Sequence, residues 1–159
     1  MSVEKIYLPQ SITYIGDQAF HNCKNLVVLT LNDNITYIGS KAFRYCNKLE
    51  LTKLPNNLVE IGTFAFQYCS KVNIPTLGSN DGSLKLASIG TYGFYNANLA
   101  ISTLTLGSSI ISIGDGAFDT NIGYVNLKDI YNYTAYTTEE LIDDFGLPAT
   151  ATYHGPEGV

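Results

Sequence analysis

The chain has 159 residues, of which 45% are hydrophobic and 14% charged, and 9 basic against 14 acidic side chains give a net charge of −5. This length suits one domain with a sizeable core. The acidic balance and the lack of a Lys/Arg cluster disfavour a nucleic-acid or anionic-membrane surface. No 18-residue apolar run predicts a membrane span, and residues 1–10 lack the apolar segment of a signal peptide. We therefore expect a cytosolic protein or a piece of a longer exported one.

One nine-residue stretch recurs along the chain. It reads IGDQAFHNC from residue 15, IGSKAFRYC from 38 and IGTFAFQYC from 61, with weaker copies from 89 and 113. The anchoring glycines stand at positions 16, 39, 62, 90 and 114, so the steps are 23, 23, 28 and 24 residues. Self-similarity at such a period predicts a solenoid in which each coil packs only on its neighbours.

Each copy also contains an L-x-x-L-x-L frame, which predicts a short strand with alternating residues in the core. Stacking these strands gives a parallel sheet along one face. Thr52 and Pro75 interrupt inward positions of this pattern. The six frames begin at Val3, Leu26, Leu49, Val72, Ile101 and Ile122, the last being Ile122-x-x-Val125-x-Leu127.

A second apolar pair follows each strand, from Ile12 and Ile15 in the first copy to Ile110 and Ile113 in the fifth. It predicts a second extended segment facing the same core. The glycine after each pair is expected to allow positive φ or a close approach between coils. Further on, one phenylalanine per copy is expected to stack into an aromatic spine: Phe20, Phe43, Phe66, Phe94 and Phe118.

Three cysteines, Cys23, Cys46 and Cys69, lie one repeat apart. An odd count without a CxxC pair argues against a disulfide or a zinc site. We predict a buried column of free thiols, which Ala97 continues in the fourth copy. The inserted segment 78–83 has one carboxylate and lacks the EF-hand spacing, so it predicts a surface loop rather than a calcium site.

The repeat fails after Leu127, and residues 137–146 predict a short helix. Thr137 and Glu140 form a capping box, and Gly146 ends the helix. Its apolar edge, Leu141, Ile142 and Phe145, is expected to cover the last coil. The predicted division is a solenoid of five to six coils over 1–136 and a capping helix with a tail over 137–159. The N-terminus shows no such cap, so we expect further coils upstream.

The unit from Leu8 to Leu31, L-P-x-x-I-x-x-I-G-x-x-A-F-x-x-C-x-x-L-x-x-L-x-L, resembles the BspA-like (Treponema pallidum-type) leucine-rich repeat. The resemblance extends from Val3 to Leu127. It implies a β-rich solenoid, a right-handed leucine-rich-repeat coil with a parallel sheet on one face. It also implies a secreted or cell-surface protein of a host-associated bacterium, made as a longer precursor, with cytoplasmic localisation as the alternative. Several members of that family are taken to be adhesins for host matrix proteins or cells.

Little in the chain indicates catalysis. His21 and His154 are the only histidines. A pair of His21 with Cys23 is conceivable, but the equivalents of His21 in later copies (Arg44, Gln67 and Tyr95) vary as a surface position would. No phosphate-binding glycine motif occurs. We therefore predict no enzyme activity, no cofactor and no metal.

The outward face of the predicted sheet is the candidate partner-binding surface. Because side chains alternate along a strand, each copy contributes two residues to this face, and the stacked copies form two rows. The first row is unexpectedly apolar, which is typical of a partner surface. β-propensity alone is an open alternative, as is cover by a neighbouring molecule or by the rest of a longer chain. The predicted binding residues are Val28, Thr30, Leu51, Lys53, Ile74, Thr76, Thr103, Thr105, Tyr124 and Asn126.

The leading hypothesis is a non-enzymatic module that binds a protein or glycoprotein, and the alternative is a structural spacer without a ligand. Short tyrosine ladders add a hint. Tyr14 and Tyr37 share one repeat position, and Tyr45 and Tyr68 share another. Tyrosine is common at recognition surfaces, although these rings could equally brace neighbouring coils.

Overall fold

Each repeat forms one coil of a parallel-sheet β-solenoid of about six turns. The computed structural model describes residues 3–97, 100–124 and 126–155. Two parallel sheets run along the coil, which we call the front sheet and the second sheet. The front-sheet strands are β1 (Lys5–Tyr7), β3 (Val28–Thr30), β6 (Thr76–Leu77), β8 (Thr103–Leu106), β10 (Asp129–Asn132) and β11 (Thr152–His154). The second-sheet strands are β2 (Tyr14–Ile15), β4 (Tyr37–Ile38), β5 (Glu60–Ile61), β7 (Ser88–Ile89) and β9 (Ser112–Ile113).

The pairing of the strands follows the sequence repeat. In the second sheet the order is β2-β4-β5-β7-β9, and Ile15, Ile38, Ile61, Ile89 and Ile113 pair in register. The front sheet is divided into the pair β1-β3 and the four strands β6-β8-β10-β11. The sequence prediction of stacked parallel strands is therefore confirmed, with one interruption in the front sheet.

The core lies between the two sheets and contains the predicted aromatic spine. Successive phenylalanine rings stack at centroid distances of 5.3, 5.3, 5.2 and 5.8 Å from Phe20 to Phe118. All but Phe20, which lies in the first coil, are fully buried. Rings that stack in this way contribute beyond the apolar area they bury, so the spine links the first five coils to one another.

The glycine after each apolar pair permits a close approach rather than positive φ. A Cβ on Gly62 would lie 2.6 Å from the Ser40 nitrogen, nearer than any side chain can come. Positive φ occurs further on, at two non-glycine positions in each of the first four coils. The residues with positive φ there are Gln18 and Asn22, Lys41 and Tyr45, Phe64 and Tyr68, and Tyr92 and Asn96.

The inserted segment 78–83 is a surface loop, as predicted. Ser83 N–H donates to Asp81 Oδ1 at 2.9 Å, and Leu84 N–H donates to Ser79 Oγ at 3.0 Å. The register on both sides of the insertion is intact, because β6 pairs with β8 and β5 pairs with β7. The extra residues therefore lie outside the stack.

The predicted frame of the sixth strand is wrong. Ile122 is 69% exposed, and Val125 lies outside the described residues. The strand that pairs with β8 is β10, in which Ile130 is fully buried opposite Leu104. The true frame is Leu127-x-x-Ile130-x-Asn132. Its last inward residue is polar, so a search for apolar residues at this spacing does not find it. Asn132 is satisfied locally, because Nδ2 donates to the Tyr136 carbonyl at 2.7 Å and Oδ1 accepts from Thr134 N–H at 3.0 Å.

The helix α1 (Thr138–Asp143) begins with the predicted capping box between Thr137 and Glu140, and Leu141 and Phe145 are buried. The fifth coil hydrogen-bonds to the residues that follow the helix, since Gly116 N–H donates to the Asp144 carbonyl at 2.7 Å and Phe118 N–H to the Phe145 carbonyl at 2.8 Å.

The structure adds a strand that the sequence does not predict. β11 lies in the segment taken for a polar tail and pairs with β10. The division at residue 137 stays a prediction, and residues 156–159 lie outside the described part of the chain.

Candidate functional site

The front sheet presents one continuous row of outward side chains, which we call the front row. Register places one member in each coil, apart from the third, in which Lys53 follows the same spacing without a strand. Most of its members are exposed. The front row consists of Tyr7, Thr30, Lys53, Thr76, Thr105, Tyr131 and His154.

The second predicted row is not an exposed apolar strip. Leu51 is 6% exposed and Ile74 is 1% exposed, so the expectation that both face solvent is wrong. The neighbouring inward positions are Thr52 and Pro75, and these side chains are exposed instead. In both coils the chain turns so that the larger apolar side chain enters the core, because burying Leu or Ile is worth more than burying Thr or Pro. Val28 and Thr103 in this row are half-buried.

The two last predicted site residues, Tyr124 and Asn126, do not belong to the face. Tyr124 is mostly buried and its hydroxyl donates to the Phe118 carbonyl at 2.9 Å, while Asn126 is exposed before the strand begins. Burial raises the pKa of the Tyr124 hydroxyl, and the nearby Asp119 and Tyr153 raise it further. The positions opposite Thr103 and Thr105 are Asp129 and Tyr131. The error has the same cause as the misplaced sixth frame.

The front row ends in a polar aromatic cluster that the sequence analysis missed. The Tyr131 and His154 rings stack with centroids 4.6 Å apart. His154 Nε2 lies 2.9 Å from Asp129 Oδ1, with both side chains about 40% exposed. The pairing of β10 with β11 creates this cluster, so only the correct sixth frame could have revealed it.

A groove opens beside the front row where the front sheet is interrupted. It has a volume of about 210 Å³. Its apolar walls are Leu29, Leu31 and Leu54, and Glu50 and Lys53 lie at its edge. In this region the third repeat forms no strand among the described residues, and Pro75 in the fourth has no N–H to donate.

A second surface, on the turns after the second sheet, carries two sets of stacked rings. Phe64 stacks on Tyr92 at 5.4 Å. Tyr45 stacks on Tyr68 at 5.0 Å, and Tyr95 meets Tyr68 edge to face at 5.6 Å. The sequence analysis noted the ladder of Tyr45 and Tyr68 but missed Phe64 and Tyr92, which share one repeat position. The Tyr14–Tyr37 ladder also forms, with centroids 5.4 Å apart.

Between these two sets of rings lies a channel. The Arg44 guanidinium occupies one part of it, with Cζ 4.7 Å from the Tyr45 centroid and 5.5 Å from that of Phe64. Its Nε donates to Gln67 Oε1 and its Nη2 to the Tyr45 hydroxyl at 3.2 Å. An open cleft of about 340 Å³ continues the channel, and we call it the aromatic cleft. Its walls are Phe64, Gln67, Tyr68, Tyr92, Tyr95 and Asp119.

The three cysteines are free, as predicted, but the column is only partly buried. Cys46 and Cys69 are fully buried, whereas Cys23 is half-buried in the first coil. The Cys46 thiol donates to the Phe20 carbonyl at 3.0 Å and the Cys69 thiol to the Phe43 carbonyl at 2.9 Å. Burial raises the pKa of Cys46 to about 12 and that of Cys69 well above its ordinary value. A thiol held in the protonated form is a poor nucleophile.

His21 is half-buried next to Tyr45, with ring centroids 6.0 Å apart, and its buried Nε2 has no hydrogen-bond partner among the described residues. Within the described residues no three His, Cys, Asp or Glu side chains converge as metal ligands would, and no helix is long and apolar enough to cross a membrane.

Comparison with known proteins identifies the repeat. The family model of the BspA type leucine-rich repeat region matches six copies, over residues 1–125 and 73–152. The chain belongs to this family. BspA-type repeats and leucine-rich-repeat proteins of similar structure are generally non-enzymatic. No curated protein matches the chain.

Three solved structures share this BspA-type fold. A leucine-rich repeat protein from Bacteroides ovatus is 20% identical with a TM-score of 0.68, covering 98% of this chain and 43% of its own. A leucine-rich cell surface protein from Faecalibacterium prausnitzii is 23% identical with a TM-score of 0.57, covering 79% and 38%. The leucine-rich repeat protein of T. pallidum is 23% identical with a TM-score of 0.54, covering 96% and 73%. This chain therefore spans less than half the length of the first two.

Proposed function

We propose that this BspA-type chain is a non-enzymatic module that binds a protein or glycoprotein through the front row. The observation that carries the proposal is that the first five members of that row have unengaged polar groups, while Tyr131 and His154 pack on each other. The side chains of Tyr7, Thr30, Lys53, Thr76 and Thr105 make no hydrogen bond to any described residue, and all but the half-buried Thr105 are exposed. A regular row of unengaged hydroxyl, ammonium and phenol groups suits an extended polar partner surface.

The interruption of the front sheet also supports partner binding at this face. The groove between the second and third coils places the apolar Leu29, Leu31 and Leu54 beside the exposed Thr30 and Lys53. Polar and apolar side chains mixed in this way are the usual composition of a non-obligate protein interface. Leu51 and Ile74 contribute no apolar strip to this face, because their side chains lie in the core.

The cellular setting is part of the proposal. The F. prausnitzii relative in fold is described as a cell surface protein. We place this module in a longer bacterial surface or secreted adhesin that meets host matrix proteins or mucins. Leucine-rich repeats generally mediate protein interactions, which supports the class of partner.

The test is a binding assay on immobilised collagen, laminin and mucin. The variant Thr30→Glu/Thr76→Glu adds two carboxylates to the front row. The matched control Thr13→Glu/Ser112→Glu adds two carboxylates at exposed positions at or beside the second sheet. We expect the front-row variant to lose binding by tenfold or more, about 1.4 kcal/mol, while the control binds as the wild type does.

Equal loss in both variants would place binding elsewhere or make it a matter of net charge. Absence of binding across the panel by a folded wild-type chain would favour the alternative, a structural spacer whose repeats only set length in a larger protein.

A further inference from the structure

The channel between the two sets of rings shows how this chain binds a guanidinium. Arg44 lies over Tyr45 and Phe64, and Gln67 accepts a hydrogen bond from its Nε. Lys41 adds a second cation near the Phe64 ring, with Nζ 5.9 Å from the centroid. Aromatic faces attract cations through the negative face of the ring, and guanidinium groups also stack on them.

One coil further, the same positions surround an open space. The repeat aligns Tyr45 with Tyr68, Phe64 with Tyr92, and Gln67 with Tyr95. These three aligned residues are walls of the aromatic cleft. The residue aligned with Arg44 is Gln67, which is shorter, uncharged and already engaged with Arg44. The cleft therefore repeats the ring positions of the Arg44 site without its cation, and the Tyr95 ring, which stands where Gln67 stands one coil earlier, meets Tyr68 and Tyr92 edge to face at 5.6 and 5.5 Å.

The cleft also holds a carboxylate that the Arg44 site lacks. Asp119 lines it and makes no side-chain hydrogen bond to any described residue. A Cβ on Gly116 would lie 2.4 Å from Tyr92 Cε1 and 2.9 Å from Asp119 Oδ2. The glycine thus keeps the ring and the carboxylate together, where the earlier coils have Lys41, Phe64 and Tyr92. Tyr95 lies against both Tyr68 and Tyr92, and desolvation first, then Tyr68 and Asp119, raise the pKa of its hydroxyl.

We propose that the aromatic cleft binds the guanidinium of an arginine side chain presented by a protein partner. The planar group would enter the cleft beside the Tyr95 ring, against Tyr68 and Tyr92, and would pair with Asp119. Arginine fits better than lysine because it combines stacking with a forked donor set for the carboxylate. The site extends the proposed protein-binding function to a second surface, and it does not depend on the front row being a binding face.

The test is an NMR titration of the chain with the peptide acetyl-Gly-Arg-Gly-amide, following the ring signals of Tyr68, Tyr92 and Tyr95. The control peptide replaces arginine with citrulline, which has nearly the same shape and no charge. We expect saturable shifts of these rings with a dissociation constant on the order of millimolar, and at least about tenfold weaker binding of the citrulline peptide. No saturable shift, or equal affinity for both peptides, would overturn the proposal.

Two variants locate the site. Asp119→Asn removes the charge at constant shape and should weaken arginine binding by about fivefold or more. Its matched control is Asp115→Asn, an exposed carboxylate that does not line the cleft, which should bind as the wild type does. If Asp119→Asn does not fold, Tyr92→Leu replaces it and should weaken binding similarly. Full affinity in the folded cleft variant would refute the assignment.

Choline and a lysine peptide serve as competing cations in the same titration. Weaker binding of both than of the arginine peptide is expected. Tighter binding of choline would show a quaternary-ammonium site and would overturn the assignment to an arginine side chain. Because the peptide assay needs no natural partner, a failed front-row experiment leaves its outcome unchanged.

Discussion

The second sheet runs unbroken through five strands, whereas the front sheet stops after β3 and resumes at β6. The two differ in their inward residues. In the second sheet each coil supplies two apolar side chains, and all but Ile12 are buried. In the front sheet Thr52 and Pro75 occupy inward positions, and the chain buries Leu51 and Ile74 instead. The front sheet is therefore interrupted in the two coils whose middle inward residue is Thr or Pro, whereas β10, with Ile130 in the middle and the polar Asn132 after it, still pairs.

The largest effect on stability is expected at Ile74, which the structure places in the core. Ile74→Asp would place a carboxylate at a position that is 1% exposed. We expect the free energy of unfolding to fall by at least about 4 kcal/mol, because a buried unpaired charge adds to the lost apolar burial. Chemical denaturation measures the change.

Thr76→Asp is the matched control, two residues along the same segment and exposed. Its change should stay within about 0.5 kcal/mol, as for most surface substitutions. Similar losses in the two variants would mean that Ile74 is not more deeply buried than Thr76.

The next largest effect concerns the spine that both sheets share. Phe66→Ala should lower the free energy of unfolding by about 3–5 kcal/mol, since it removes a fully buried ring stacked on two others. The comparison is Tyr14→Ala, whose ring is stacked but 57% exposed and should cost far less. Equal costs would show that outer ladders stabilise the coils as much as the spine does.

A smaller effect depends on pH and on the buried thiols. The pKa of Cys46 is raised by burial from 9.0 to about 12, and that of Cys69 is also raised. A raised pKa in the folded state stabilises the protein fully below the unfolded value, and this contribution is lost as pH rises toward the folded value. Stability should therefore decline between about pH 9 and 12 more steeply in the wild type than in Cys46→Ala/Cys69→Ala. Parallel curves would contradict this.

The same variant is a reasonable control because Ala97 already fills this slot in the fourth coil and is buried. Thiol labelling gives an independent check. Cys23 should react first in the native protein, and Cys46 and Cys69 only on unfolding. Rapid labelling of Cys69 would contradict its burial.

The smallest effect would sharpen the comparison of the two sheets. Exchanging Leu51 and Thr52, as Leu51→Thr/Thr52→Leu, restores an apolar residue at the inward position. We expect stability within about 1 kcal/mol of the wild type, because the apolar volume is kept. Amide exchange at Lys53 should slow as the third coil pairs with β3. Leu51→Thr alone should be less stable than the wild type. Unchanged amide exchange at Lys53 in the double variant would show that an apolar residue at the inward position does not by itself restore strand pairing.

Most of the fold could be predicted from the sequence because the repeat reports the same environment several times. Phe43, Phe66 and Phe94 occupy one position in three coils, so a single alignment places all of them in the core. The errors arose where one copy departs from the others. Thr52, Pro75 and Asn132 each put a polar or imino residue at an inward position, and a frame transferred from neighbouring copies then assigns the wrong residues.

The candidate surfaces were less predictable because they depend on side-chain geometry between coils. The outward direction of Thr30, Lys53 and Thr76 follows from strand period, and it is confirmed. The stacking of His154 on Tyr131 could not be predicted while the segment of His154 was taken for a tail. The aromatic cleft depends on Gln67 being shorter than Arg44, and a pattern of residue types does not reveal that space.

The loop at 78–83 has a consequence for how such a chain can change. The coils before and after it keep their register, so strand pairing does not depend on the length of this turn. Peptides of other lengths inserted between Asn80 and Ser83 should therefore be displayed without loss of the fold. The loop lines a cleft with Thr76 and Thr105, so an inserted peptide would emerge beside the front row. Variation in length at one turn can thus diversify this surface while the core sequence stays constant.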